Sequence, residues 1–160
     1  MLYGAPESFF TKIAGVTHNH RQDFIKFLSE GQELIAVRQP ENEFDKNAIA
    51  VFDGVRKLGY IPKEVAEQIA PKMDSGSCIT VHVACITGID QPYQGVNIKV
   101  SIYPKNHHHV ISDSYKNMRG NYLDDASQAM LAKQAREEYE IQRNKQNFSD
   151  WLSKNFRGPF

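Results

Sequence analysis

Two stretches of strict alternation constrain this chain more than any other feature. Ile79, Val81, Val83 and Cys85 alternate with Thr80, His82 and Ala84. Val96, Ile98, Val100 and Ile102 alternate with Asn97, Lys99, Ser101 and Tyr103. A period of two puts the apolar set on one face of a strand and the polar set on the other. Both stretches are therefore half-buried antiparallel strands, joined by the Gly88–Gly95 loop with Pro92 and Tyr93 at its tip. A pair of this kind needs further strands or a helix to cover its apolar face.

The rest of the first two thirds supplies that cover. Phe9 to Val16 is short, apolar and β-prone, and reads as the first strand. Phe24, Ile25, Phe27 and Leu28 have helical spacing, stopped at Gly31. Glu33 to Gln39 has no polar face and reads as a strand buried on both sides. Ala48 to Phe52 and Leu58 to Ile61 flank Asp53-Gly54, a hairpin signal. Pro62 suits the first position of a helix, where its missing N–H has no partner to lose. Val65, Ile69 and Met73 give that helix one apolar face, and Pro71 kinks or ends it. The expected architecture is mainly β with α: a small OB-like six-stranded β-barrel with one or two short helices, spanning residues 1–104.

The remainder differs in kind. Residues 105–124 form a polar linker containing His107-His108-His109. Residues 125–160 read as a helical C-terminal extension. Asp125 with Gln128 makes a capping box, followed by helix from Ala126 to Asn144 with a thin apolar face. Phe148, Trp151, Leu152 and Phe156 form a second stripe, with Asn147 as a cap for a separate helix. That stripe must bury against the barrel, a second copy or a partner, and packing on its own domain is the simplest of these.

Charge excludes some functions. The chain carries 19 basic and 19 acidic side chains, so it is formally neutral. Neither part is a cationic sheath for long duplex DNA, whose affinity comes from neutralising many phosphates. A site that touches few phosphates is compatible with this balance. Cys78 and Cys85, seven apart on one strand, point to opposite faces and are not a disulfide pair. With no signal-peptide pattern, the expected location is cytoplasmic. No apolar run approaches the ~20 residues that span a bilayer, so no membrane partner is expected.

Polar side chains able to fix geometry concentrate between Arg38 and Val51. Asn42 and Asn47 offer amides, Asp45 an acceptor, and Arg38 and Lys46 cations; Phe44 is an aromatic inside a polar loop. Taken alone, these residues read first as a structural loop, because Asn and Asp commonly bond their own backbone in turns.

The same residues carry a resemblance. Arg38, Pro40, Asn42, Phe44, Asp45, Asn47, Ala48, Ile49 and Val51 follow the signature of the HIRAN domain, a module also found fused to fork-remodelling ATPases. Phe10 to Val16 resembles that family's opening strand, Gly31 with Leu34 its Gly-x-x-Leu, and Leu58 to Glu64 its Gly-Tyr-Ile-Pro helix entry. The resemblance covers roughly Phe9 to Tyr103. It implies an OB-like barrel that binds single-stranded DNA at a free 3′-hydroxyl end, in a repair or replication setting. Carried over, Asp45 would accept a hydrogen bond from the terminal hydroxyl. Asn42 would hold the terminal nucleotide, Phe44 would stack on a base and Lys63 would contact a phosphate. Lys12, Arg38, Asn47 and Tyr60 complete the implied site, with Tyr93 as a second stacking aromatic. Two positions depart from the pattern. Phe44 stands where the ATPase-linked members have Tyr, and Thr11-Lys12 occupy the neighbourhood of their Arg-Tyr pair.

Two alternatives belong to other classes. A metal-dependent nuclease would use His18, His20 and His107 to His109, but zinc wants about four Cys or His ligands at fixed spacing, which these lack. An interaction protein would recruit a partner, or a second copy, through Phe148, Trp151, Leu152 and Phe156. No Gly-rich phosphate loop ending in Lys-Ser/Thr is present. The expectation is a binding module without catalytic residues, cofactor or metal.

Overall fold

A computed structural model describes residues 5–105 and 125–156. Its elements in chain order are β1 (Glu7–Lys12), α1 (Arg21–Ile25), β2 (Glu33–Arg38), β3 (Ile49–Asp53), β4 (Arg56–Tyr60), α2 (Lys63–Asp74), β5 (Cys78–Thr87), β6 (Gly95–Tyr103) and α3 (Asp125–Asn155). The six strands lie in the order β1-β6-β5-β2-β3-β4, every neighbour antiparallel.

The two alternating stretches are the longest strands, β5 and β6. Their registry pairs Val81 with Val100 and Val83 with Ile98, and all four side chains are fully buried. The core continues through Leu34, Ala36, Ile49, Val51 and Leu58 to Ile69 and Ala70 on α2. As expected, β2 is buried on both faces. Leu34 and Ala36 enter the main core, while Ile35 and Val37 join Ala50 and Phe52 in a second small cluster that Tyr60 packs against.

The sheet closes through its first strand. Regular pairing of β1 with β6 ends at Lys12, short of the Val16 expected from apolar content. The Ile13 amide still donates to the Val96 carbonyl at 2.9 Å. One residue later the chain changes partner. The Ala14 amide donates to the Tyr60 carbonyl at 2.7 Å, and the Tyr60 amide to the Ala14 carbonyl at 3.0 Å. This exchange joins the edge strand β4 to the end of β1 and turns the open sheet into a barrel, the arrangement that removes edges. Gly59 permits the approach: a Cβ there would stand 2.3 Å from the Ala14 carbonyl oxygen.

The helices differ from expectation in instructive ways. Pro62 is the residue before α2, extended at ψ 142, and its carbonyl accepts the Val65 and Ala66 amides. The ring therefore fixes the entry to the helix and does not occupy its first turn. Pro71 sits inside α2, which ends three residues later at Asp74. The largest difference is α3, one continuous helix where a break at Asn147 was expected. No Gly or Pro interrupts the run on either side of Asn147, and one Asn inside a helix costs only a fraction of a kcal/mol, about 0.7 or less. Among the described residues Gln128 bonds across the fold. Its Oε1 accepts from the Lys57 amide and its Nε2 donates to the Val55 carbonyl, pinning α3 to the β3–β4 turn. Ala132 and Ala135 are buried in the barrel core, and Phe27 meets Tyr139 edge-on. Beyond Tyr139 the apolar stripe does not dock on the barrel: Phe148, Trp151 and Phe156 stay exposed and pack on one another.

Cys78 and Cys85 are both free. Among the described residues no helix is long and apolar enough to cross a membrane. Except for Lys105, the polar stretch 105–124 lies outside the described residues, and His107 to His109 with it.

Candidate nucleic-acid interface

The loop from Glu41 to Asn47 is organised by its own side chains. Asn42 Oδ1 accepts the amides of Phe44 at 2.9 Å and Asp45 at 3.2 Å. Asp45 Oδ1 then accepts the Asn47 amide at 2.9 Å, while its carbonyl accepts the Ala48 amide. The loop ends are joined where the Gln39 amide donates to the Ala48 carbonyl at 2.9 Å. Two successive side-chain turns therefore hold seven residues without a core of their own. The structural reading of Asn42 and Asp45 is correct as far as it goes, since both amide and carboxylate brace the backbone.

That bracing has a second consequence. Phe44 is 93% exposed, although burying a phenyl ring typically gains about 1.5–3 kcal/mol. Its backbone is held rigid while its ring meets solvent. Asp45 Oδ2 accepts no bond from any described residue, and the half-buried side chain lines a cleft of about 930 Å³. Phe44 lines the same cleft.

The cleft's floor is the barrel closure. Ala14, Gly15 and Tyr60 line it, together with Ile61 and Lys63 at the opening of α2. No side chain caps the first amides of α2, which leaves the positive end of its dipole beside Lys63. Lys57 reaches the Tyr60 hydroxyl with its ammonium group. Arg21, buried at the start of α1, donates Nη1 to the Gly15 carbonyl at 2.7 Å and lies 5.5 Å from the centre of the Tyr60 ring. Gly15 has φ +74, and a Cβ there would meet that guanidinium at 2.9 Å. His18 and Asn19 complete the wall. Asn19 and His20 both adopt left-handed backbone at φ 48 and 64, a conformation few non-glycine residues take and one that often marks a functional turn. The cleft thus sets one carboxylate and one exposed ring among the cationic groups of Arg21, Lys57 and Lys63.

Of the residues expected at the site, Asn42, Phe44, Asp45, Tyr60 and Lys63 come together here. The other four stand elsewhere. Arg38 turns away, donating Nε and Nη2 to Asp74 at 3.0 and 3.1 Å and Nη1 to the Ala48 carbonyl at 3.1 Å. It ties the loop's far end to α2. Asn47 is half-buried and braces the turn through its amide. Tyr93 is 64% exposed at the β5–β6 loop, outside the cleft lining. Lys12 lines a separate shallow depression on the sheet.

Sequence reasoning missed His18, Arg21 and Lys57. Residues just after Gly15 line the cleft where Thr11 and Lys12 do not. The signal was a glycine followed by a polar run, Thr17 to Arg21, between two apolar segments. Among the described residues no group of three or more His, Cys, Asp or Glu is placed to hold a metal ion.

A closed antiparallel barrel with a rigid polar loop over its seam is a binding architecture of OB-like type. The model of the HIRAN domain matches residues 6–105, well over half of the chain, and the chain belongs to the HIRAN family. Its fold is similar to the HIRAN domain of human HLTF, with a TM-score of 0.52, 22% identity, and 75% of this chain and 95% of that one covered. A protein from Lactobacillus plantarum is similar at the same TM-score, with 20% identity over 61% of this chain and 98% of that one. At these identities the likeness speaks for the fold alone. The Fanconi-associated nuclease 1 homolog of Arabidopsis thaliana is 36% identical over 69 residues, which is 42% of this chain and 7% of that protein. The shared segment is thus a small part of a much longer relative.

Proposed function

We propose that the cleft binds the free 3′-hydroxyl end of single-stranded DNA. The observation that carries this reading is the placement in one cleft of an exposed Phe44 ring and an Asp45 carboxylate with one oxygen unbonded among the described residues, their backbone amides both held by Asn42. A base has an apolar face for the ring. A terminal hydroxyl has a proton for the carboxylate, and an internal phosphodiester has none. The same carboxylate repels a phosphate placed at the end. Lys57, Lys63 and the opening amides of α2 supply the positive field for the phosphate that precedes the terminal nucleotide. His18 and Tyr60 form the wall against which the terminal base or sugar rests. Few phosphates are contacted, which suits a neutral chain.

The protein acts in this reading as a non-catalytic binding module within DNA repair or replication. Nuclease activity belongs to the long plant relative, whose sequence this chain matches over a small fraction. The test compares single-stranded oligonucleotides with free and 3′-phosphorylated ends by fluorescence anisotropy, for the unmodified protein and for Asp45→Ala. Tight binding of the free end alone, lost in Asp45→Ala, is the expected result. Equal binding of both ends by the unmodified protein would sink end recognition.

A specific observation favours a second role beside it. Phe148, Trp151 and Phe156 remain exposed on the far half of α3, which suits protein association. Trp151→Ala with Phe148→Ala should abolish any self-association seen by light scattering, with end binding retained.

A further inference from the structure

We propose that the outward face of β1, β6 and β5 is a second stretch of nucleic-acid interface, a track along which the single strand leading to the cleft is bound. This rests on the end-binding reading above and extends it. Period two along β1 turns Ser8, Phe10 and Lys12 outward, while Phe9 packs against the core. Phe10 is 70% exposed on this regular strand. Cross-strand registry places it opposite Lys99, and Lys99 opposite His82. The next row sets Lys12 opposite Asn97 and Asn97 opposite Cys85.

A lone exposed aromatic needs no explanation. Three further observations set this one apart. Lys12 and Lys99, its neighbours along and across the sheet, form no ion pair among the described residues. A shallow depression of about 570 Å³ lies beside the ring, lined also by Lys12, Asn97 and Ala84, the residue at the register shift between Val83 and Cys85. And the face lies close to the cleft along the chain, because Ala14, which lines the cleft, comes two residues after Lys12, the last residue of β1. From Ala14 to Phe10 the strand runs about 13 Å at ~3.3 Å per residue. Glu33 stands beyond His82 in the same row, and Glu7 is bonded to Lys72. An aromatic platform between two cations on a barrel exterior has the chemistry of a single strand: a base to stack and a phosphate on either side.

The proposal predicts a dependence on strand length. Thymidine oligonucleotides of three and twelve residues, all with free 3′ ends, are titrated against the full chain. The unmodified protein should bind the twelve-mer more tightly than the three-mer. Phe10→Ala should weaken the twelve-mer about tenfold and leave the three-mer unchanged, with Phe10→Tyr restoring binding. Lys12→Ala with Lys99→Ala should do the same and flatten the salt dependence of the twelve-mer. All three side chains are exposed, and circular dichroism checks that the variants fold. Equal loss at both lengths, or no loss at either, would overturn the track. Failure of end recognition shows separately, in the 3′-phosphorylated arm with the unmodified protein, where Phe10 plays no part.

Discussion

The seam of the barrel and the loop above it build the same cleft by opposite means. At the seam, main chain meets main chain. Ala14 and Tyr60 exchange hydrogen bonds, and Gly59 is there because the approach leaves no room for a Cβ. At the loop, side chains hold the backbone, and Asn42 and Asp45 spend one oxygen each on that task. The seam is rigid because it belongs to the cooperative fold. The loop is rigid on its own account, which leaves its outward groups open to change without loss of the fold. Stability should therefore be concentrated in the seam and ligand recognition in the loop, and substitutions can separate the two.

The largest effect is expected at Gly59. Gly59→Ala puts a methyl group 2.3 Å from a backbone oxygen, an overlap that neither partner can relieve without opening the closure. Overpacking in a core costs about 1–3 kcal/mol, and the lost pair of hydrogen bonds adds to it. The variant should show a denaturation midpoint several degrees lower, and its end binding should fall together with its stability. A variant of wild-type stability would show that the barrel does not depend on this closure.

Asp45 comes next, and here two substitutions distinguish bracing from recognition. Asp45→Asn keeps an oxygen for the Asn47 amide and removes the charge. Asp45→Ala removes both. Both should lose about 1–3 kcal/mol of binding to a free 3′ end, the value of a hydrogen bond to a charged group. Only Asp45→Ala should also lose stability, by about 1 kcal/mol, as a side-chain cap does. Phe44→Ala sharpens the contrast from the other side. With its ring 93% exposed, its removal should leave chemical denaturation unchanged and cost about 1–3 kcal/mol of binding.

How much of this was legible in the sequence divides along the same line. The strands were readable because alternation, Gly and Pro punctuation and the Asp53-Gly54 turn are local signals. The loop was readable because its polar residues are consecutive. The seam was not, since nothing in the apolar run Ile13-Ala14 says that its partner changes from β6 to β4. His18, Arg21 and Lys57 were missed for that reason: the run holding His18 and Arg21 is about forty residues from Lys57, and the two share a cleft with the loop only in the folded barrel. The continuity of α3 was missed because Asn147 looks like a cap from its composition, and only the helix on both sides shows otherwise. Gln128 was read only as a local cap, and its partners Val55 and Lys57, about seventy residues away, left no trace in the sequence. Long-range hydrogen bonds leave no periodicity to read.

The smallest expected effect tests whether charge in the hairpin matters to the cleft at all. Asp53, at the turn end of β3, accepts a hydrogen bond from Gln32 Nε2 at 2.8 Å. Burial pushes its carboxyl pKa up, against the lowering influence of Arg56 and of the Gln32 bond. A carboxyl whose folded value lies above its unfolded value favours folding most when protonated. Its contribution is fully present below the ordinary value of 3.8 and is lost as pH rises through the raised folded value. Neutral pH is thus where the ionised Asp53 weighs against the fold. Asp53→Asn keeps an acceptor for Gln32 and has no charge to desolvate. Its stability should fall less than that of the unmodified protein between acid and neutral pH, measured by urea denaturation across that range. Its binding of a free 3′ end should be unchanged, because Asp53 sits at the opposite end of the hairpin from Tyr60. A shift in binding would mean that the turn and the cleft are coupled through β4, and that the loop is less independent of the barrel than its self-contained hydrogen bonds imply.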